Sequence, residues 1–174
     1  MRLRLRLFLL IIASVFRKRL SLGDENVVNL RVLPNDVDIT RVGNDRYLTF
    51  MDLGRINIVL RAGLLRTLIS HKWGPVARVV NIRFRYPLKL LQRFQLRSRA
   101  IYWDDEWVWF EQRFERNGRT TAIGVAKATL VGPSGLISPA TIIAAAGETL
   151  VSPPLPAVIA ELQIVEDQLK AKQS

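Results

Sequence analysis

Two aspartates stand in an extended segment shortly before a long helix, and their carboxylates could do chemistry there. The segment begins at Val32 and turns into a helix that is predicted to start near Asn44 or Asp45. The first N–H groups of a helix have no internal partner and carry partial positive charge, so they can stabilise an oxyanion. Asp36 and Asp38 therefore stand where a carboxylate and oxyanion donors could face one substrate.

The helix that must position these donors is apolar on more than one side. One face is predicted to hold Tyr47, Met51, Gly54, Ile58 and Ala62. Other apolar residues fall off this face, so we expect the helix to be mostly covered by the rest of the domain. Gly54 would let a sheet approach closely, and Gly63 ends the helix.

After this helix the spacing of apolar residues changes from a helical repeat to every second residue, which predicts strands. The predicted strands cover residues 80–86, 94–102, 107–115 and 120–131, and an earlier strand covers residues 29–35. A sheet of about five antiparallel strands that curls around one long helix would bury all of these apolar faces together. The predicted class is therefore α+β, with the sheet wrapped around a central helix.

The chain divides into three predicted parts: a basic and apolar segment at residues 1–20, a central domain at residues 21–135, and a helical extension at residues 136–174. Ser138 is expected to cap a short helix that has Pro139 at its first position and Gly147 beyond its end. A second helix, amphipathic, follows the proline-rich connector.

The N-terminal segment has arginines alternating with leucines, then an apolar run from Leu7 to Phe16, then three cations. No small-residue cleavage site follows the run, which argues against a cleaved signal peptide. As a helix the run reaches roughly 15 Å, about half of a bilayer core. We interpret Met1 to Arg19 as an interfacial membrane anchor, the alternative being an element that packs on its own domain or on a sister subunit.

Composition excludes several kinds of site. The 174 residues include no cysteine, so thiolate nucleophiles, cysteine metal sites and disulfides are excluded. The net charge of +11 favours an anionic partner such as nucleic acid, lipid headgroups or coenzyme A. His71 is the only histidine, so a histidine-dependent triad or metal cluster would have to be built on it; none is predicted.

Nucleic-acid binding is not favoured, although arginines alternate along the predicted strands. Trp107 and Trp109 share one face of a strand with arginine, which a nucleic-acid surface could use. Glu111 and Glu115 lie on the same face, however, and arginine opposite glutamate is a common solvated pattern across strands.

The order of strand, aspartate-containing turn, long helix and four-stranded meander is similar to that of the hotdog-fold acyl-CoA thioesterases, specifically the four-hydroxybenzoyl-CoA thioesterase-like branch. The resemblance covers about residues 29–131 and is carried by Pro34, Asn35, Asp36, Val37, Asp38, Asn44, Tyr47, Leu48, Phe50, Met51, Asp52, Gly54 and Arg55. It implies a hotdog fold, an acyl-CoA substrate, no cofactor or metal, and a homodimer or dimer of dimers with its sites at the subunit interface.

The resemblance also implies roles for particular residues. Asp38, the second carboxylate of the D-x-D pattern, matches the nucleophile or general base, and Asp36 matches a supporting residue. Further supporting or oxyanion positions are Asn44, Asp45, Arg46 and Tyr47, and the candidates for contacting coenzyme A are Arg55, Arg83 and Arg85. The implied enzyme hydrolyses acyl- or aryl-CoA to free acid and CoA. With the N-terminal segment as an anchor, we expect it in the cytoplasm and peripherally on a membrane.

Two other functions stay open. Where many relatives read His-Met-Asn-Asn before the helix tyrosine, this chain reads Val-Gly-Asn-Asp at residues 42–45, and its turn is one residue shorter. A non-catalytic hotdog protein that binds acyl-CoA or a membrane-associated partner is therefore the alternative. A hotdog dehydratase is a third reading, but it relies on a catalytic histidine that His71 is poorly placed to supply.

Overall fold

The structure is a computed structural model that describes residues 2–16 and 18–172. The helices are α1 (Arg2–Phe16), α2 (Asn44–Arg61), α3 (Leu65–Ser70), α4 (Pro139–Ala145) and α5 (Ala157–Lys170). The strands are β1 (Asn26–Arg31), β2 (Val37–Asp38), β3 (Arg41–Val42), β4 (Gly74–Phe84), β5 (Arg93–Trp103), β6 (Val108–Arg116), β7 (Arg119–Gly132) and β8 (Gly135–Ile137).

The main sheet is antiparallel and has the order β1-β5-β6-β7-β4, with β8 paired to β7. It curls around α2, whose Phe50, Met51 and Leu53 are fully buried against it. The two edges of this path are β1, which precedes α2, and β4, which follows α2 and α3. This confirms the predicted hotdog fold.

Gly54 sets the closeness of α2 to the sheet. A Cβ built at this position would lie 2.5 Å from Ser98 Oγ, 2.7 Å from Gln112 Nε2 and 2.9 Å from Leu96 Cδ2. Real Cβ atoms do not approach other atoms this closely, so a side chain here would force these neighbouring side chains or the helix itself to shift. The close approach predicted from the sequence is therefore a feature of the fold.

We expect Gly54→Ala to lower the free energy of unfolding by about 1–3 kcal/mol, because overpacking a filled core forces neighbouring groups to shift. Urea denaturation measures the change. Gly74→Ala is the matched control, since a Cβ there would meet nothing within 4 Å, and it should change stability by less than about 0.5 kcal/mol. Equal losses in both variants would contradict the packing role of Gly54.

The predicted first strand was wrong in its position. β1 covers residues 26–31, and Pro34–Asp36 forms a 3-10 turn instead of continuing the strand. Pro34 has no N–H to give to a ladder, and the Asp36 carboxylate accepts the N–H of Leu33 at 2.8 Å. The sequence pattern also missed β8, which turns back from β7 at Gly135.

The burial of some strand residues also differs from prediction. Phe84 and Tyr86, predicted on a buried face, are more than two-fifths exposed, because they lie at and just beyond the end of the edge strand β4. Trp107 and Trp109, predicted on a solvated face, are buried. The reason is α5, whose Glu166 accepts a hydrogen bond from Lys127 Nζ at 2.7 Å, beside both indole rings.

Arg97 and Arg113, on the outer face of the sheet, are paired with acids. Arg97 contacts Glu25 and Glu115 at 2.9 and 2.8 Å, and Arg113 contacts Glu25 at 2.7 Å. Burial alone would raise the pKa of Glu25, but hydrogen bonds from both arginines outweigh it and hold the pKa below its ordinary value. The guanidinium groups of Arg97 and Arg113 are therefore engaged in ion pairs on this face. This agrees with the predicted pattern of arginine opposite glutamate on a solvated sheet face.

The N-terminal helix packs on its own domain. Leu7 and Leu10 of α1 join the core cluster that includes Phe50 of α2. The opposite side of α1 leaves Phe8, Leu9, Ile12 and Phe16 exposed. Met1, Arg17 and the side chains of residues 2–5 and 15 lie outside what the structure describes, so the predicted anchor is seen only in part. Over the described ranges, no helix combines the length and apolarity that crossing a bilayer requires.

Candidate active site at the start of the central helix

A small hairpin brings Asp38 to the start of α2. β2 and β3 pair Asp38 with Arg41 across a two-residue turn, and α2 begins directly after this hairpin. Ile39, at the first turn position, has a φ of 50° and is fully exposed. A β-branched residue is strained in this conformation, so the chain holds an unfavourable residue next to the candidate catalytic carboxylate.

Gly43, the N-cap residue of α2, makes room for the Asp38 carboxylate. A Cβ at Gly43 would overlap Asp38 Oδ2 and lie 3.1 Å from Asp38 Cγ. The backbone φ of Gly43 is −64°, so it is space and not conformation that requires glycine here. Asp38 is exposed, and among the described residues its carboxylate makes no hydrogen bond or ion pair. The carboxylate is therefore free to act on a ligand at the helix start.

The backbone N–H groups in the first turn of α2 differ in whether they are already hydrogen-bonded. The N–H of Arg46 donates to the Gly43 carbonyl at 3.0 Å, so it is engaged. No side chain caps α2, which leaves the N–H groups of Asn44 and Asp45 as the oxyanion donors that the geometry offers. The Asp45 carboxylate also lies near, with Oδ1 2.7 Å from a Cβ built at Gly43. Its other oxygen lies 3.4 Å from Arg46 Nε, in a surface ion pair.

Asp36 is a buried structural residue, with 3% of its side chain exposed. Arg6 of α1 donates to both of its oxygens, at 3.1 and 2.5 Å, and the Arg6 guanidinium also lies 5.0 Å from the centre of the Phe50 ring. The carbonyl of Asp36 accepts the N–H of Gly43 at 3.1 Å. Asp36 thus ties the N-terminal helix to the turn that carries Asp38.

Tyr47 points into the core. Its hydroxyl accepts the N–H of Leu88 at 3.3 Å, and its ring packs edge-on against Phe84 and Phe114 at 5.0 and 4.9 Å. Burial raises the pKa of the hydroxyl, although the hydrogen bond from Leu88 opposes this. The structure therefore places Tyr47 behind the helix start and not beside Asp38.

The three arginines expected to contact coenzyme A lie in different settings. Arg55 is enclosed between α2 and the sheet, where it donates to Gln112 Oε1 at 2.6 Å and pairs with Asp52. Burial lowers the pKa of its guanidinium, and Asp52 partly opposes this. Arg83 and Arg85 are exposed at the end of β4, with Arg85 stacked 5.2 Å from the Tyr86 ring.

His71 lies apart from this arrangement. It is exposed at the end of α3, with Nδ1 2.9 Å from Ser70 Oγ and its ring 5.3 Å from that of Trp73. Nowhere in residues 2–16 and 18–172 do three acidic or histidine side chains gather as metal ligands would.

Comparison with known proteins places this arrangement in a family. The sequence profile of the thioesterase-like superfamily matches residues 32–161 of the 174, a range that includes Asp38 and all of α2. The chain belongs to the thioesterase-like superfamily.

The relatives agree with this membership. The chain is 37% identical over 84 residues to protein THEM6 of Xenopus laevis, which is 48% of this chain and 41% of that protein. It is 37% identical over 91 residues to protein THEM6 of Danio rerio, which is 52% of this chain and 45% of that protein. The match thus spans about half the length of these curated relatives.

Solved thioesterase structures share the fold. The BH1999 gentisyl-coenzyme A thioesterase superposes with a TM-score of 0.63 at 23% identity, over 69% of this chain and 98% of that one. The 1,4-dihydroxy-2-naphthoyl-CoA thioesterase Slr0204 from Synechocystis superposes with a TM-score of 0.61 at 12% identity, over 71% of this chain and 95% of that one.

Two residues of this thioesterase-like site were missed from the sequence. Arg6 stands in a run of alternating arginine and leucine, and nothing in that pattern indicates that Arg6 reaches Asp36. Gly43 is visible as the residue before the helix, where an N-cap is expected, but glycine at an N-cap is ordinary. Its steric role depends on the position of Asp38, which only the folded hairpin fixes.

Proposed function

We propose that this protein hydrolyses the thioester bond of acyl- or aryl-CoA, with Asp38 as nucleophile or general base. The observation that carries the proposal is the packing of the Asp38 carboxylate against Gly43, at the uncapped start of α2. Solved relatives named as gentisyl-CoA and dihydroxynaphthoyl-CoA thioesterases support a CoA ester as the substrate.

The chemistry has two possible routes at this carboxylate. As a nucleophile, Asp38 attacks the thioester carbonyl carbon, the C–S bond breaks, CoA leaves as a thiolate that takes up a proton, and water hydrolyses the resulting anhydride. As a general base, Asp38 takes a proton from the water that attacks the same carbon. Both routes develop negative charge on the carbonyl oxygen, which the amides of Asn44 and Asp45 would stabilise, by about 10²- to 10³-fold per donor.

Exposed cations near the helix start would hold the phosphates of coenzyme A. Arg83 and Arg85 flank Phe84, whose ring contacts Tyr47 in the first turn of α2, so this end of β4 lies close to the start of the helix. Guanidinium groups bind phosphate oxygens through paired hydrogen bonds. Arg55 is buried between α2 and the sheet, so the phosphates of coenzyme A would reach it only if these elements moved apart.

The alternative, a hotdog protein that binds acyl-CoA without hydrolysing it, is favoured by one observation. Asp45 brings a second carboxylate to Gly43, and this negative charge would oppose an oxyanion at the same amides. A thiol-release assay over acyl-CoAs of different chain length and aryl groups, with calorimetric binding in parallel, separates the two functions. Binding with turnover supports the thioesterase, and binding without thiol release supports the alternative.

A homodimer, or a dimer of dimers, would cover the apolar surface around this site. The exposed apolar residues there are Ile39, Leu48, Phe84, Tyr86, Leu90 and Leu91. A strained, fully exposed isoleucine is easier to understand if it contacts a second subunit.

We expect sedimentation to give at least twice the 19.8 kDa chain mass. Ile39→Asp should shift the protein to monomers, because it places a charge in the interface, while aspartate tolerates the local backbone better than isoleucine does. Ile69→Asp, at an exposed position on α3, is the control and should stay associated. Association that persists in Ile39→Asp would count against this interface.

The exposed side of α1 would contact a membrane surface, and the protein would then be cytoplasmic and peripherally bound. Four apolar side chains of this helix face outward while Leu7 and Leu10 hold it to the core. An amphipathic element of this kind can insert its apolar face among headgroups, and the net charge of +11 favours anionic lipid.

Replacing both Phe8 and Phe16 by serine is expected to weaken co-sedimentation with anionic phospholipid vesicles by at least about tenfold, because each phenylalanine loses buried apolar area. Ile69→Ser removes an equally exposed apolar side chain from α3 and should leave vesicle binding unchanged. Unaltered binding by the double variant would argue against membrane contact through α1.

A further inference from the structure

A second apolar space lies in this chain, away from Asp38. A partly open cavity of about 230 Å³ separates the C-terminal half of α2 from the sheet and is also lined by side chains of α1, α3 and α4. Its walls include Leu7, Ile11, Val59, Leu68, Phe110 and Ile142. Val59 and Leu68, which line this cavity, are only partly buried. Protein interiors are otherwise close-packed, so a void of this size is a feature that requires explanation.

The polar groups of this wall are few and point to one kind of ligand. The Thr129 hydroxyl already donates a hydrogen bond to the Ile137 carbonyl, at 2.8 Å. The other lining side chains that carry polar groups are Trp103, through its indole N–H, and Arg55, a cation with only 6% of its surface exposed. Its contacts with Gln112 and Asp52 use two of the five N–H donors of a guanidinium, so further donors can serve a carboxylate.

The volume selects a single chain and excludes larger lipids. An apolar protein cavity of about 150 Å³ holds benzene, so in proportion this one holds about nine carbon atoms. It is smaller than the roughly 300–1,000 Å³ of pockets for drug-sized ligands, which excludes a sterol. An apolar chain of about eight to ten carbons fits both the size and the lining.

The cavity is distant from the candidate catalytic carboxylate. At about 1.5 Å per residue, Arg55 lies roughly 18 Å along the helix axis from Gly43, against which Asp38 packs. Between them Tyr47, Phe50 and Met51 are buried in the filled core. We propose that this cavity is a separate binding site for a medium-chain fatty acid, whose chain lies in the cavity and whose carboxylate pairs with Arg55.

Calorimetric titration with decanoic acid and with decanol tests the proposal on the full chain. We expect saturable binding of one decanoate per chain and at least about tenfold weaker binding of decanol, which cannot make the charged hydrogen bonds to Arg55. Hexadecanoic acid should bind no more tightly through this cavity than decanoic acid, because the additional carbons would extend beyond its volume. No saturable binding of decanoate, or equal binding of the alcohol, would overturn the proposal.

Variants assign the bound acid to the cavity or to Asp38. Ala100 lines the cavity, and Ala100→Leu should fill part of it and weaken decanoate binding by at least about tenfold. Ala145→Leu, on the exposed side of α4, is the matched control and should bind as wild type does. Asp38→Asn should also bind normally. Loss of binding in Asp38→Asn with full binding in Ala100→Leu would mean that the acid occupies the thioester site as a product, and this would overturn the proposal.

Discussion

Asp38→Asn is expected to lower the rate of thiol release from acyl-CoA by at least about 10²-fold, with the fold unchanged. Asparagine keeps the size of the side chain, so it still fits against Gly43, but it can neither accept a proton nor attack a carbonyl carbon. Asp38 is exposed, and the structure describes no partner for its carboxylate, so the exchange removes no stabilising contact. Thiol release at saturating substrate measures the loss, and urea denaturation checks the fold.

Asp45→Asn is the matched control for this prediction. Its carboxylate also lies near Gly43, but it is two-thirds exposed and is paired with Arg46 at the surface. The exchange should leave thiol release within a few-fold of wild type or raise it, because the surface ion pair contributes little and the Asp45 charge opposes an oxyanion at the nearby amides. If Asp45→Asn abolishes turnover and Asp38→Asn does not, the catalytic carboxylate is Asp45. If neither exchange lowers thiol release, neither carboxylate is catalytic and the role proposed for Asp38 is wrong.

The fold could be predicted because its elements follow local rules. The twofold alternation of the meander strands and the glycines at 54 and 63 depend on residues close in sequence, and the structure agrees with them. The errors occur where a distant element changes the outcome. Trp107 and Trp109 alternate with buried residues and so read as solvated, but α5 covers them through the Lys127–Glu166 pair. The alternation of residues within a strand does not show where a helix that follows later in the chain will pack.

In the candidate site, too, the features set by neighbouring residues could be predicted and those set by distant residues could not. The Asp38 turn and the helix start at Asn44 could be placed from the sequence, because the aspartates and the helix are neighbours along the chain. The role of Asp36 could not, since its partner Arg6 lies 30 positions away. Tyr47 reads as a helix-start residue, but whether its hydroxyl faces the substrate or the core depends on Leu88, which arrives from the loop after β4.

Replacing Arg6 by methionine is expected to lower the free energy of unfolding by about 3 kcal/mol, because it leaves the buried Asp36 carboxylate without its cation. It should also lower kcat more than it weakens acyl-CoA binding. The turn held by Asp36 carries Asp38 two residues later, and a displacement of about 1 Å at the reacting group can lower the rate roughly 10²-fold. Urea denaturation, thiol release and calorimetric binding of acyl-CoA measure the three quantities.

Two further variants separate the ion pair from a general effect of losing an arginine. Arg66→Met removes an exposed cation from α3 and should change neither stability nor kcat. Arg6→Met combined with Asp36→Asn should recover most of the lost stability, since the amide oxygen still accepts the Leu33 N–H and no buried charge is left unpaired. A double-mutant cycle should therefore give a coupling of at least about 1 kcal/mol between the two positions. Additive losses would show that α1 is held by its leucines alone, and an unchanged kcat in Arg6→Met would show that this helix does not position Asp38.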